Sequence, residues 1–334
     1  MRALIIKLGA IGDVIRTTSI LSGLKEKYKG CSIEWVTKKE SFDVLKNNKL
    51  IDKVHLISDF KKLQNKKYDL VICLDDENEA CELASSVSFK KIIGAYLDNG
   101  KKIYTQDSSQ WFDMGLISRF GKPKADELKA KNKKTYREIM YSILDLNYKK
   151  QEPMLVLNVK ELGFGKKFSK KNNIMEDGLV IGINTGAGGR WEDKKLSIEK
   201  TAELIDKLNN ELKNVKIILF GGPEETERNK KIKNLVKTEI IDAGCGNSLM
   251  EFASLVNLCK ILVTSDSLAL HIGVALKKKV VCYFYPTSAS EIELYERGTK
   301  IIWEGKSYCS YQPKCEYPPK IEIEKIIEAV KKLI

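Results

Sequence analysis

The feature that most restricts how this chain can fold is a repeated alternation: a short apolar run, a segment with helical spacing, then another short apolar run. Ala3-Leu4-Ile5-Ile6, Ser32-Ile33-Glu34-Trp35-Val36, Val54-His55-Leu56-Ile57 and Leu70-Val71-Ile72-Cys73 are of strand length. Between the first two lies a stretch from about Val14 to Tyr28 in which Val14, Leu21 and Leu24 share one helical face. Its last turn carries Lys25, Lys27 and Lys29, which suits the negative end of a helix dipole. A further helix is expected near 40–47. Strands that alternate with helices need crossover connections, so the sheet they build is parallel. The rhythm breaks over 148–177, which holds Pro153, Gly163-Phe164-Gly165 and Lys170-Lys171-Asn172-Asn173. It then restarts with Leu179-Val180-Ile181-Gly182-Ile183, a helix near 197–212, and strands at 215–220, 261–264 and 280–284. A final helix runs from about Ile321. At 334 residues, and roughly 100–200 residues per domain, two domains are favoured over one. The expected organisation is α/β: two doubly wound, Rossmann-like domains over 1–160 and 175–320, facing across a cleft, and a C-terminal helix over 321–334.

Composition excludes several classes. No apolar run approaches the roughly 18–20 residues a membrane-crossing helix needs, and Lys7 interrupts the first apolar run too early for a secretory signal. A cytoplasmic protein is expected, with room for peripheral contact at the inner face of the membrane. The formal net charge is +13. Residues 1–150 hold 29 basic and 20 acidic side chains, so most of the excess lies in the first half. Such a half suits a phosphate-bearing acceptor or an anionic membrane surface; a merely Lys-rich solvated surface accounts for it equally well. Nucleic acid is not an expected partner, because the lysines are scattered and no basic-aromatic interleaving occurs. The eight cysteines are dispersed with no C-x-x-C, as in a reducing compartment. Cys309 and Cys315 share a Pro/Tyr-rich loop and read as plain thiols, with a bridge or a metal pair as the alternative. With two histidines and no metal-ligand spacing, no metal site is expected.

Three segments at strand ends carry the candidate chemistry, because ligands of doubly wound sheets sit beyond the carboxyl ends of the strands. The first is Gly9-Ala10-Ile11-Gly12-Asp13. Gly9 and Gly12 permit close approach of a ligand to backbone, and Asp13 stands at a helix start, either as a functional carboxylate or as an N-cap. The G-x-G-x-x-G dinucleotide fingerprint is not met. The second is Asn184-Thr185-Gly186-Ala187-Gly188-Gly189-Arg190-Trp191 with Lys194 and Lys195, a glycine-rich, cationic loop able to cradle a diphosphate, or else a flexible surface loop. The third is Thr264-Ser265-Asp266-Ser267-Leu268-Ala269-Leu270-His271. The first N–H groups of its helix can bind an anion. Asp266 could hold sugar hydroxyls or cap the helix, and His271 is as well placed for the core as for a ligand. His55, in an apolar strand, reads as structural.

Taken in order, these segments resemble glycosyltransferase family 9, the heptosyltransferases of the lipopolysaccharide inner core. The resemblance rests on Arg2-Ala3-Leu4-Ile5-Ile6-Lys7 through Gly12-Asp13-Val14 and Thr17-Thr18, on the 184–191 loop with Lys194, and on Phe220-Gly221-Gly222-Pro223-Glu224-Glu225. Asp266-Ser267 with His271 and Phe284-Tyr285-Pro286-Thr287-Ser288 complete it. It implies the GT-B fold and an inverting transfer of heptose from ADP-heptose to a lipopolysaccharide or other glycan acceptor, free or lipid-linked, without a metal or other cofactor. It implies Asp13 as general base on the acceptor-side loop Gly9-Ala10-Gly12, and Lys194 as neutraliser of the leaving diphosphate. Thr185, Gly186, Arg190, Ser267, Leu268 and Ala269 would bind the donor's phosphates, Glu225 its ribose, and Asp266 its sugar. Three departures bear on the donor: Leu268 and Tyr285 stand where the family has Gly, and Leu196-Ser197 where it has Trp-Pro. A UDP-sugar transferase or epimerase, and a non-catalytic nucleotide-sugar-binding scaffold, are the rival readings.

Overall fold

The computed structural model describes residues 1–189, 192–303, 305–312, 314–317 and 321–334. The chain divides into two compact units, Met1–Val156 with Ser290–Glu293, and Leu157–Ala289 with Leu294–Ile334. The expected boundaries differ from these in three ways. The expected linker contains the helix Val159–Lys171, which opens the second unit behind an Asn158/Glu161 capping box. Four residues from the second half of the sequence, Ser290–Glu293, belong to the first unit. The last helix, Ile323–Leu333, is part of the second unit and packs Ile326, Ile327 and Val330 into its core.

The first unit is built on six strands: β1 (Arg2–Ile6), β2 (Ser32–Thr37), β3 (Lys53–Leu56), β4 (Lys67–Cys73), β5 (Ser88–Asp98) and β6 (Lys101–Tyr104). Their order is β3-β2-β1-β4-β5-β6. The first five are parallel, with Ile6 paired to Val36 on one side and Cys73 on the other. β5 and β6 form an antiparallel hairpin turned by Asn99 and Gly100, both at positive φ. An Asn-Gly pair takes this turn with little strain, and it is the one hairpin signal the strand–helix reading passed over. Gly94 in β5 is dictated by close approach: its φ is +111°, and a Cβ there would lie 1.9 Å from the carbonyl oxygen of Cys73.

The second unit repeats the plan with β7 (Leu179–Asn184), β8 (Val215–Phe220), β9 (Ile241–Asp242), β10 (Ile261–Ser265), β11 (Lys279–Phe284) and β12 (Gly298–Ile302). The order is β12-β11-β10-β7-β8-β9, and every pairing is parallel. Counted from its own first strand this is the same winding as in the first unit. Each sheet therefore reverses direction once, between β1 and β4 and between β7 and β10. In doubly wound sheets such reversal points are where ligands sit, beyond the carboxyl ends of the strands.

The helix expected over 14–28 is two helices, Ile11–Thr17 and Ile20–Lys27. At the break, three successive hydroxyls donate back to backbone carbonyls: Thr17 to Asp13, Thr18 to Ile15 and Ser19 to Arg16, at 2.6, 2.7 and 2.8 Å. Such bonds compete with the helical ladder. His55 is structural, as expected. Its Nε2 lies 2.7 Å from Glu34 Oε2, and Arg2 and Tyr68 converge on the same carboxylate. Burial works against the charged form of Glu34, but the bonds from Arg2 and His55 and the charge of Lys66 outweigh it and hold the carboxyl at about 2. A folded-state value below the unfolded one means that this carboxylate stabilises fully above the ordinary 4.5, and that its contribution fades as pH falls toward 2. Denaturant titrations of wild type and Glu34→Gln at pH 7 and at steps below pH 4.5 should show a deficit in the variant that narrows with acidification.

Candidate active site

The loop after β1 is held by a residue the sequence reading did not single out. Asp75, just past the end of β4, is buried, and its Oδ2 accepts hydrogen bonds from the backbone N–H of Leu8 at 2.8 Å and of Gly9 at 3.3 Å. The Lys7 ammonium donates to the same oxygen at 3.2 Å. Burial disfavours the Lys7 charge, but Asp13 and Asp75 more than offset this and raise its pKa. A carboxyl-bearing residue at the end of the strand beside β1 was the available signal, because that pair of strands flanks the reversal point. Gly9 is not at positive φ, and a Cβ there would have 3.9 Å to its nearest neighbour, Glu77 Oε1. The turn itself does not demand glycine; glycine leaves space over the loop.

Asp13 is not an N-cap. The helix begins at Ile11, its cap position is Ala10, and no side chain caps it. Asp13 therefore sits inside the first turn, where a carboxylate is favoured by the exposed N–H groups, with about a third of its side chain (34%) in solvent. Its Oδ1 is 2.9 Å from Arg16 Nε.

In the second unit the loops after β7 and β10 are stitched together. Asn184 Nδ2 donates to the Gly186 carbonyl at 2.8 Å and to Thr264 Oγ1 at 3.1 Å, and lies 3.3 Å from Ser267 Oγ. Ser267 Oγ is 2.9 Å from Thr264 Oγ1. Ser267 occupies the cap position of the helix Leu268–Ala275 without capping it through its side chain, so the N–H groups at its start, including those of Leu268 and Ala269, form an anion-binding end. Leu268 is half-buried and Ala269 buried.

Asp266 does not cap this helix either. Its Oδ2 accepts from Lys194 Nζ at 3.0 Å and from Thr287 Oγ1 at 2.7 Å, while Lys194 also donates to its backbone carbonyl. Burial would raise the Asp266 carboxyl, yet the charges of Lys194 and His271 and the Thr287 hydroxyl hold it below the usual carboxylate range. His271, half-buried on that helix, thus bears on the site electrostatically. Lys194 is itself buried, at the end of a short helical turn over 192–194.

Two donor-side expectations take a different form. Thr185 is buried with its hydroxyl 2.6 Å from Asn229 Oδ1 and 3.0 Å from the Phe220 carbonyl, so it supports the loop from beneath instead of lining it. Glu225 is buried below the same loop. Its Oε2 accepts from the Gly222 N–H at 3.0 Å, and its Oε1 has no hydrogen bond and lies 3.6 Å from Lys195 Nζ. Gly186 is required by this closeness, since a Cβ there would fall 2.7 Å from Glu225 Oε2. Arg190 and Trp191 lie outside the described residues. All eight cysteines are free, so Cys309 and Cys315 form no bridge.

Two doubly wound units, each with polar loops at its reversal point, are the components of the GT-B fold of glycosyltransferases. Comparison with known proteins makes this specific. The family model for glycosyltransferase family 9 (heptosyltransferase) matches residues 57–320, and the chain belongs to that family. It is 24% identical to lipopolysaccharide heptosyltransferase 1 of Campylobacter coli, over 100% of this chain and 99% of that one. Among solved structures it resembles a family 9 glycosyl transferase from Veillonella parvula with a TM-score of 0.81, at 18% identity and over 99% and 96% of the two chains. It resembles the ADP-heptose lipopolysaccharide heptosyltransferase II of E. coli with a TM-score of 0.69, at 17% identity and over 100% and 98%.

Asp75 offers a direct check on the loop. Asp75→Ala leaves the Lys7 ammonium without its carboxylate partner and frees two backbone N–H groups, a loss of roughly 3–5 kcal/mol for a buried pair broken on one side. Thermal unfolding should fall well below wild type for Asp75→Ala and partly recover in the Lys7→Met/Asp75→Ala double variant.

Proposed function

We propose that the protein is an inverting heptosyltransferase that moves heptose from ADP-heptose to a lipopolysaccharide-type or other glycan acceptor. The observation that carries this reading is the Lys194–Asp266–Thr287 cluster beside the uncapped helix start at Ser267, on the reversal point of the second sheet. It combines a buried cation, backbone donors and a carboxylate, as a sugar diphosphate requires. In the first unit Asp13 supplies the complementary group, a part-exposed carboxylate at the reversal point of its own sheet.

The chemistry follows. Asp13 takes the proton of the acceptor hydroxyl as that oxygen attacks the anomeric carbon. The bond from that carbon to the diphosphate oxygen breaks on the opposite side, and the configuration inverts. Lys194 and the N–H groups at 267–269 receive the charge that develops on the leaving diphosphate. Asp266 accepts from donor sugar hydroxyls, and Glu225 supports the donor loop from beneath through the Gly222 N–H. A positioned base contributes about 10²–10⁴ in rate, and preorganised donors at the leaving group contribute a term of similar size or larger. No metal takes part in this scheme. The donor assignment draws on relatives: E. coli heptosyltransferase structures hold ADP and ADP-2-deoxy-2-fluoro heptose. Of the departures, Tyr285 is buried with its hydroxyl donating to the Tyr317 carbonyl, and Leu268 stands at the first turn of the phosphate-facing helix.

Thermal-shift assays with ADP- and UDP-sugars test the donor; stabilisation by UDP compounds alone would reject heptose. Asp13→Asn should lower transfer by about 10²–10⁴-fold while keeping donor binding, and undiminished turnover in that variant would remove Asp13 from the base role.

The acceptor side also fits a cytoplasmic enzyme working at an anionic membrane face. Among the described residues no helix is long and apolar enough to cross a membrane. Leu116 and Phe120 are 90% and 53% exposed beside Arg119, Lys122 and Lys124, all on the surface, an arrangement suited to shallow, salt-sensitive contact. Co-sedimentation with phosphatidylglycerol vesicles should be strong at low salt, fall at high salt, and weaken in Leu116→Ser/Phe120→Ser; binding unaffected by salt would count against it.

A further inference from the structure

Arg16 is a mostly buried cation of the first unit, held by two aromatic rings and two carboxylates, and nothing in the reaction scheme uses it. Its guanidinium lies 3.9 Å from the centroid of the Tyr136 ring and 5.5 Å from that of Trp111, two rings that meet edge-to-face at 5.0 Å. Its Nη1 is 3.4 Å from Glu291 Oε2, and Glu291 is fixed in turn by its carbonyl, which accepts the Tyr136 N–H at 2.9 Å. Tyr136 is anchored by its hydroxyl, 2.7 Å from Thr17 Oγ1. Only 16% of the Arg16 side chain is exposed, against 34% for Asp13. Its Nε stands 2.9 Å from Asp13 Oδ1, an ion pair between residues three apart on one helix.

We propose that Arg16 is the positioning residue of the base. Held over the Tyr136 ring beside Trp111 and tethered by Glu291, it holds the Asp13 carboxylate in one orientation and keeps it ionised. The proposal rests on Asp13 acting as the base.

A planar guanidinium suits this role because it stacks on rings, stays charged, and is fixed with less loss of freedom than an ammonium. The spacing of three residues on one helix brings the two side chains together. A surface pair of this kind has little worth when both partners move; here one partner is immobilised and mostly dry, so the flexible, exposed carboxylate is the one that gains order. Among the charged and titratable groups that bear on Asp13 are Lys7 at the end of β1, Arg16 on its own helix and Tyr136 from the helix Tyr136–Ile143. Asp75 and Glu291 act through Lys7 and Arg16 respectively. Both cations favour the ionised base.

The test is transfer kinetics of the full-length enzyme with ADP-heptose, for Arg16→Met, Arg16→Lys, Asp13→Asn and Arg16→Met/Asp13→Asn. Arg16→Met should lower kcat roughly 10- to 100-fold, the scale expected of a misplaced catalytic group, with the donor KM kept, and should move the acid limb of kcat/KM to higher pH. Arg16→Lys retains the charge without the stack; its acid limb should stay near wild type while kcat is partly restored, and it reads the effect if Arg16→Met folds poorly. In the Asp13→Asn background Arg16→Met should cost little more, because both changes act through one carboxylate. An equal loss in both backgrounds, or wild-type kcat and acid limb in both Arg16 variants while Asp13→Asn is impaired, overturns the positioning role alone. Wild-type turnover by Asp13→Asn overturns the base assignment and this proposal with it.

Discussion

Parallel pairing is the constraint from which the rest of this molecule follows. Two parallel neighbours cannot be joined by a tight turn; the chain must leave at one end of the sheet and return through a helix to the other. The hand of that crossover is fixed. A sheet can then grow in both directions from its first strand only by reversing its winding once, and each unit does so, beside β1 and beside β7. The two loops at a reversal meet there through side chains, Asp75 with the loop after β1 and Asn184 with the loop after β10. Asp13, Asp75, Lys194 and Ser267 all follow the strands that flank such a reversal.

The reversals hold charge that is partnered before any ligand arrives. Asp75 gathers two backbone N–H groups and Lys7 beneath the first loop. Asp266 gathers Lys194 and Thr287 in the second. Isolated charges at this depth would be neutralised or expelled; matched pairs remain ionised and fixed. They are organised as the chain folds, each charge held in place by its partner. Thr185 and Asn229 illustrate the same arrangement: their mutual bond commits a hydroxyl to stiffness under the glycine loop.

Much of this was legible in the order of residues. Strand-length apolar runs and helical spacing reveal the alternating architecture, because the two periods differ and the crossovers require both. Gly186 and Ser267 stand out because glycine and a helix-opening hydroxyl have few reasons to follow a buried strand. What was not legible depends on contacts distant in sequence. Nothing local distinguishes Asp75 from Asp76, yet only the former reaches the loop after β1. Nothing local tells that Asp13 lies within a helix that opens without a capping side chain, since Ala10 supplies no signal. The split of the helix expected over 14–28 comes from hydroxyls turning back on their own backbone, a competition that periodicity does not register.

The placement of Ser290–Glu293 has a consequence for anyone who would divide this protein. The front unit is discontinuous in the gene: four codons from far downstream complete it. A fragment cut after Val156 would look whole by its strands and helices, but it would lack the carboxylate that faces Arg16 and the carbonyl that receives the Tyr136 amide. A nascent chain emerging from the ribosome meets the same shortage until most of the second sheet has been translated. The first half of this enzyme therefore waits on the second to become complete.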